Sequence, residues 1–144
     1  MQEELKNLMY DLDRWGYPKN LPIYLIWLVI FLYPATWAVV VYRIGKLINL
    51  ISIKPLRYFL KIPYYILKRL VCESFLSIDI SDGADIGPGF HIAHSGAIVI
   101  GQGVKAGKNF SIRQGVTCGR TNYPTFGNNV VIASGAVVVG DYNW

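Results

Sequence analysis

A chain of 144 residues can bury one hydrophobic core, or a small core with an appendage, and leaves no room for a second full domain. Its two cysteines, Cys72 and Cys118, are too few for a disulfide framework and lack the His or Cys neighbours of a zinc site, so both read as reduced thiols in a cytoplasmic setting. The net charge of +5 is uneven: residues 1–72 carry ten Lys or Arg against four Asp or Glu, and residues 73–144 carry four against five.

The first 19 residues, MQEELKNLMYDLDRWGYPK, mix both signs of charge, and no small-residue cleavage site follows a short apolar core. A cleavable signal peptide is therefore not expected. Next comes NLPIYLIWLVIFLYPATWAVVVY, 23 uncharged residues from Asn20 to Tyr42. About 20 apolar residues cross a bilayer as a helix, so the length suits a membrane segment. Pro22 lies near its start, but Pro34 lies inside it, where a proline removes a helical hydrogen bond and kinks or turns the helix. A kinked span, a shallow re-entrant hairpin and a buried pair of soluble helices all remain open.

From Arg43 to Arg69 every charge is positive, and acidic residues resume only at Glu73. Cations interleaved with Leu, Ile, Tyr and Phe suit helices lying on an anionic membrane face, with apolar side chains inserted and basic stems reaching the headgroups. The excess of cations puts this face in the cytoplasm, on the inner membrane, with a plain cytoplasmic location as the alternative. Nucleic acid is not expected as a partner, because the stretch is too apolar and carries no binding motif. Pro55 and Pro63 are expected to divide it into short helices. Residues 1–72 thus form a helical, membrane-associated region, and residues 73–144 a second region of different grammar.

That grammar is a period of six. Apolar or small residues recur at Ile80, Ile86 and Ile92, at Ile100, Ala106, Ile112 and Cys118, and at Phe126, Ile132 and Val138. The step becomes eight between groups, placing two extra residues near Ile98 and Val99 and two more near residues 122–124. Four places after each marked residue a second apolar or small residue recurs, as at Ala84, Phe90, Val104, Phe110 and Val116. Six residues make no whole number of helical turns, and the glycine content weakens a helix further. Short strands joined at tight corners fit instead: each hexad forms one side of a three-sided coil, with the marked residue inside. The expected fold is mainly β, a parallel β-helix preceded by apolar and basic helices.

The segments YRIGK (Tyr42–Lys46), IDI (Ile78–Ile80), ADIGPGFHIAHSGAIVIG (Ala84–Gly101) and FSIRQGVTCG (Phe110–Gly119) resemble the hexapeptide-repeat acyltransferases with a left-handed β-helix. Within them, the likeness is to the serine acetyltransferase group and to relatives that O-acetylate bacterial polysaccharides such as colanic acid. The resemblance implies an O-acetyltransferase with acetyl-CoA as co-substrate and no metal, assembled as a homotrimer that shares its sites between subunits. It implies that His94 is the general base and that Asp79 holds its ring. A hydroxyl is a poor nucleophile until it loses its proton, and imidazole, with an ordinary pKa near about 6.5, can accept it. A neighbouring carboxylate fixes the tautomer and stabilises the imidazolium. Asp79 and His94 lie 15 residues apart, close to the 18 of three hexads, so adjacent coils can bring them together.

Backbone N–H groups near Ser95 and Gly96 are candidates for holding the developing oxyanion. His91 falls in an outward slot and reads as solvated surface, as do Asp82 and Asp85 at corners. His91, His94 and Asp79 do not share a predicted face, which argues against a metal site.

Two departures from the serine acetyltransferases bear on the acceptor. Their acidic residue before the catalytic histidine is Ala93 here, and their Arg-His pair before a later proline is Asn122-Tyr123 before Pro124. An amino-acid carboxylate would lack its guanidinium fork. The expected acceptor is therefore a sugar hydroxyl of a surface polysaccharide or its lipid-linked precursor. Serine acetylation in cysteine synthesis and a shortened, non-catalytic membrane-bound paralogue are the alternatives, because only about three and a half coils fit after Ile80.

Overall fold

The computed structural model describes residues 1–15, 33–119 and 123–140. Helices α1 (Gln2–Arg14), α2 (Pro34–Asn49) and α3 (Lys54–Leu67) lead into a π-helical segment, Lys68–Phe75. Ten short strands follow: β1 (Ile78–Ile80), β2 (Asp85–Ile86), β3 (His91–Ile92), β4 (Ile98–Ile100), β5 (Lys105–Ala106), β6 (Ser111–Ile112), β7 (Thr117–Cys118), β8 (Thr125–Phe126), β9 (Val131–Ile132) and β10 (Val137–Val138).

The strands form three parallel sheets in the orders β1-β4-β7-β10, β2-β5-β8 and β3-β6-β9. Each strand pairs with the one three places on, as a three-sided coil requires. Every marked residue of the hexad pattern points inward: Ile80, Ile86, Ile92, Ile100, Ala106, Ile112, Cys118, Phe126 and Ile132 are buried, and Val138 is half-buried. Phe90, Phe110 and Phe126 stack along the axis with ring centroids 6.0 and 5.1 Å apart. Asn109 and Asn129, both at positive φ, turn equivalent corners and share a side-chain hydrogen bond of 2.9 Å, a ladder open to asparagine because it tolerates the left-handed region. The expected left-handed β-helix is the fold of this chain.

The register locates the extra residues. Val99 pairs with Thr117, a step of 18, whereas Ile78 pairs with Ile98 and Thr117 with Val137, steps of 20. The first insertion lies in the β3–β4 corner, just before Ile98, and not within the strand. That enlarged corner holds His94.

Of the two prolines of the basic stretch, Pro55 falls at a break between helices as expected, and Pro63 does not. Pro55 occupies the first turn of α3, where its missing N–H has no partner to lose, and Pro63 lies inside the helix without ending it. Pro63 is exposed, so the carbonyl it frees can meet water, and helical backbone continues unbroken to Phe75. Pro34 likewise opens α2 rather than kinking a longer helix. The second half of the uncharged run is therefore protein core: Ala35, Ala38, Val39, Val41 and Tyr42 are buried against the coil and its neighbouring helices. The first half, residues 20–32, lies outside the described residues. Among the described residues no helix is long and apolar enough to cross a membrane.

The YRIGK segment is the joint between helices and coil. Tyr42 Oη donates to Ala84 O and accepts from Ile86 N, both at 3.1 Å. Arg43, fully buried, donates to Asp11 at 2.7 Å and to the carbonyls of Ile86 and Gly87 at 2.8 and 2.7 Å. Asp11, also fully buried, accepts from the Gly89 and Phe90 amides at 2.7 and 2.8 Å. Gly45 lets α3 approach α2, since a Cβ there would overlap Tyr64 Oη. Buried charges need such full pairing and hydrogen bonding to be tolerated.

Candidate active site

His94 stands in the enlarged corner between β3 and β4. Its side chain and that of Ser95 are exposed, and two successive residues beyond them, Gly96 at φ +119 and Ala97 at φ 50, hold positive φ. A non-glycine residue in this region costs about 1–2 kcal/mol, so the fold over-determines the corner. Two ladder bonds anchor it: Ile98 N donates to Ser77 O at 3.0 Å, and Gly115 N donates to Gly96 O at 2.9 Å.

Asp79 is the outward-facing middle residue of β1, between buried Ile78 and Ile80. It pairs in register with Val99, so the sheet places it on the strand beside β4, at whose start the His94 corner ends. Within the single chain the described hydrogen bonds do not join the carboxylate to the imidazole. Asp79 Oδ1 lies instead 2.8 Å from Lys68 Nζ, and the same ammonium is 3.7 Å from Glu73 Oε1.

Lys68 carries no signal that sequence reasoning could have used, because its approach to Glu73 depends on the π-helical turn. Lys68 and Glu73 are five residues apart, which on an α-helix turns them well away from each other; i→i+5 winding brings them to one side. The Leu76 amide shows that winding, donating to Val71 O at 3.1 Å.

His91 departs from its expected solvated position. It is half-buried beneath α1, with its ring centroid 4.6 Å from that of Trp15. Burial lowers its pKa below the ordinary histidine value, and electrostatic interaction with Arg14 and His94 lowers it further. This keeps His91 neutral and packed. Asp82 is also more than a solvated corner: it accepts from Lys61 at 3.1 Å and from Asn49 at 3.2 Å, fastening α2 and α3 to the first coil. Asp85 pairs with Lys46 at 3.2 Å and stays exposed. Both cysteines are free and buried, with thiol pKa values pushed up to about 11 by burial. Neither is a ready nucleophile at neutral pH. No cluster of three His, Cys, Asp or Glu side chains able to hold a metal gathers among the described residues. Asn122 and the chain beyond Gly140 lie outside those residues, while Tyr123 is exposed and Pro124 buried.

No family model matches the chain. It is 35% identical over 123 residues to the serine acetyltransferase of Helicobacter pylori strain 26695, a match covering 79% of this chain and 66% of that protein. It is 37% identical over 84 residues to Escherichia coli K12 WcaB, named for acetyl transfer in colanic acid biosynthesis, covering 55% of this chain and 52% of that protein. The chain thus spans about half to two thirds of the length of these curated relatives. The crystal structure of serine acetyltransferase from Brucella abortus strain S19 superposes with a TM-score of 0.75 at 22% identity, covering 99% of this chain and 56% of that one, a likeness of fold alone. Stacked hexads, the corner that holds His94 and the sequence likeness together place this chain in the serine acetyltransferase-like group of hexapeptide-repeat acetyltransferases.

Proposed function

We propose that this chain carries the catalytic centre of an acetyl-CoA-dependent O-acetyltransferase in which His94 is the general base and Asp79 its carboxylate partner. The observation carrying this reading is the exposed His94 in an enlarged, anchored corner, beside the strand that presents Asp79. His94 takes the proton from the acceptor hydroxyl as that oxygen bonds to the acetyl carbonyl carbon, and returns it to the departing CoA sulfur. The Asp79 carboxylate orients the ring and stabilises the imidazolium between those steps. A homotrimer completes the site, as the open setting of His94 on one subunit invites.

The acceptor we propose is a sugar hydroxyl of a membrane-borne glycan, reached from the cytoplasmic face. Ala93 and Tyr123 stand where an amino-acid acceptor would need charged groups. The exposed face of α3 and the turn after it supports the location: Leu56, Phe59, Ile62, Ile66 and Leu70 form one stripe at helical spacing, each at least 43% exposed, with the exposed cations Lys54 and Arg69 at its margin. An apolar stripe edged with cations suits the surface of an anionic bilayer. Serine acetylation is kept as a second reading, favoured by the likeness to the Helicobacter pylori enzyme.

The test is release of free CoA from acetyl-CoA with lipid-linked glycan or with L-serine as acceptor. His94→Ala is expected to lower the rate at least about 100-fold, within the range of general-base catalysis. Equal rates above background for His94→Ala and wild type would remove His94 from the chemistry, and preference for L-serine would replace the glycan.

A further inference from the structure

We propose that Lys68 is a positioning residue for this site: its ammonium pins one oxygen of Asp79 and offsets that carboxylate's charge, so that the His94 imidazole stays neutral and ready to accept a proton. The inference rests on the reading of His94 as base and Asp79 as its partner.

The placement of Lys68 is unlike that of the other helix lysines that reach the coil. Lys46 and Lys61 bind Asp85 and Asp82, residues that flank the β1–β2 corner, and are 20 and 23% exposed along their side chains. These contacts already fasten the helices. Lys68 is 11% exposed along its side chain, its stem lies among Ala38, Val41, Tyr64, Cys72 and Ile80, and it ends on the central residue of β1. Lysine is among the residues least often buried, because its strongly hydrated charge is lost at a cost that pairing must offset. Glu73 cannot be the main partner: it lies 3.7 Å away and also holds Arg69, whereas Asp79 Oδ1 is at 2.8 Å.

A carboxylate has two oxygens, and the nearest approach of Lys68 is to Oδ1. Oδ2 takes part in none of the described hydrogen bonds, and the side chain is 50% exposed. An Asp79 fixed at one oxygen and free at the other can orient an imidazole that approaches from the His94 corner. Charge supplies the second half of the argument. A base must be unprotonated before the reaction, yet a bare carboxylate beside an imidazole favours the protonated ring. A buried ammonium on that carboxylate offsets part of the effect and leaves the rest to stabilise the imidazolium once it forms.

The other charged or titratable groups around the pair are few. His91 and Arg14 lie on the α1 side of His94, and Arg113 follows Ile112, whose carbonyl accepts from Ala93 N at 3.0 Å. Glu73 and Cys72 lie on the Lys68 side of Asp79. Glu73 is itself held by Arg69, so the Lys68 charge falls mainly on Asp79.

The experiment is titration of the His94 imidazole by NMR in the full chain, where His91 and His94 are the two histidines and His91→Gln separates their signals. Lys68→Met is expected to raise the His94 midpoint by about half a pH unit, Asp79→Asn to lower it, and Lys68→Arg to leave it near wild type. A purely structural Lys68 would leave the midpoint unmoved. If Lys68→Met does not fold, Glu73→Gln, which leaves the ammonium wholly to Asp79, is expected to lower the midpoint. An unmoved midpoint in Lys68→Met, or in Glu73→Gln where Lys68→Met does not fold, overturns the proposal. Movement with Asp79→Asn but not with Lys68→Met overturns the role of Lys68 and leaves the base assignment standing. Should neither move it, both Asp79 and Lys68 lose their roles, and the CoA-release assay of His94→Ala judges the base separately.

Discussion

Helices α2 and α3 begin alike, each with proline in its first turn, and each has apolar residues along most of its length. Nine residues of α2 are buried, including Arg43, whereas α3 buries only Tyr64. The difference lies in what each presents to the coil. α2 meets the first turn of the β-helix with a hydroxyl and a guanidinium that satisfy its open carbonyls and amide, and closely packed apolar contacts follow from that joint. α3 reaches the coil through Lys61, packs Tyr64 against α2 at Gly45, and turns a row of large apolar side chains outward. Equal apolarity thus produces a core helix in one case and a surface helix in the other.

The largest effect is expected from breaking the α2 joint. Arg43→Met leaves Asp11 buried beside the Gly89 and Phe90 amides without its cation, and should destabilise the protein by about 3–5 kcal/mol. The midpoint of urea unfolding measures this, and an unchanged midpoint would remove the network from the account of stability.

The corresponding change in α3 should spare the fold. Phe59→Asp with Ile66→Asp alters only exposed positions, so the melting temperature should hold within a few degrees. Flotation with vesicles containing anionic phosphatidylserine should fall about tenfold or more, because each substitution removes an inserted apolar side chain and adds a negative charge. Equal flotation of variant and wild type would separate α3 from the membrane.

The smallest effect concerns His91, where α1 covers the coil. Its pKa is lowered in the folded state, so between that value and the ordinary 6.5 the unfolded chain binds more protons. Stability from this group is full above about pH 6.5 and is lost as pH falls through the folded value. His91→Gln should flatten this part of the stability profile, by a fraction of a kcal/mol for a half-buried ring, as read from urea midpoints between pH 5 and 7.

Most of the β-helix was legible from residues alone. A period of six with inward apolar residues fits no helix, and Ile80, Ile86 and Ile92 each take one wall of the first coil as that period predicts. The helices were less legible. Pro63 follows local rules that break helices, yet an exposed position let the chain continue, and solvent exposure is not written in local sequence. At the site, His94 was marked by its flanks, whereas Lys68 was hidden in a run of seven cations that nothing local sorts into buried Arg43 and Lys68, half-buried Lys46, Arg57 and Lys61, and exposed Lys54 and Arg69.

Sequence by itself determined the repeat, and with it which side of every strand faces the axis, because side-chain alternation and coil length are local properties of the backbone. Tertiary structure alone decided which polar groups meet. Asp11 reaches Arg43 across 32 residues, and Lys68, at the start of the π-helical segment, reaches Asp79 through the packing of that turn on the first strand. Contacts of that kind depend on three-dimensional closure, which no short-range pattern of residue types encodes.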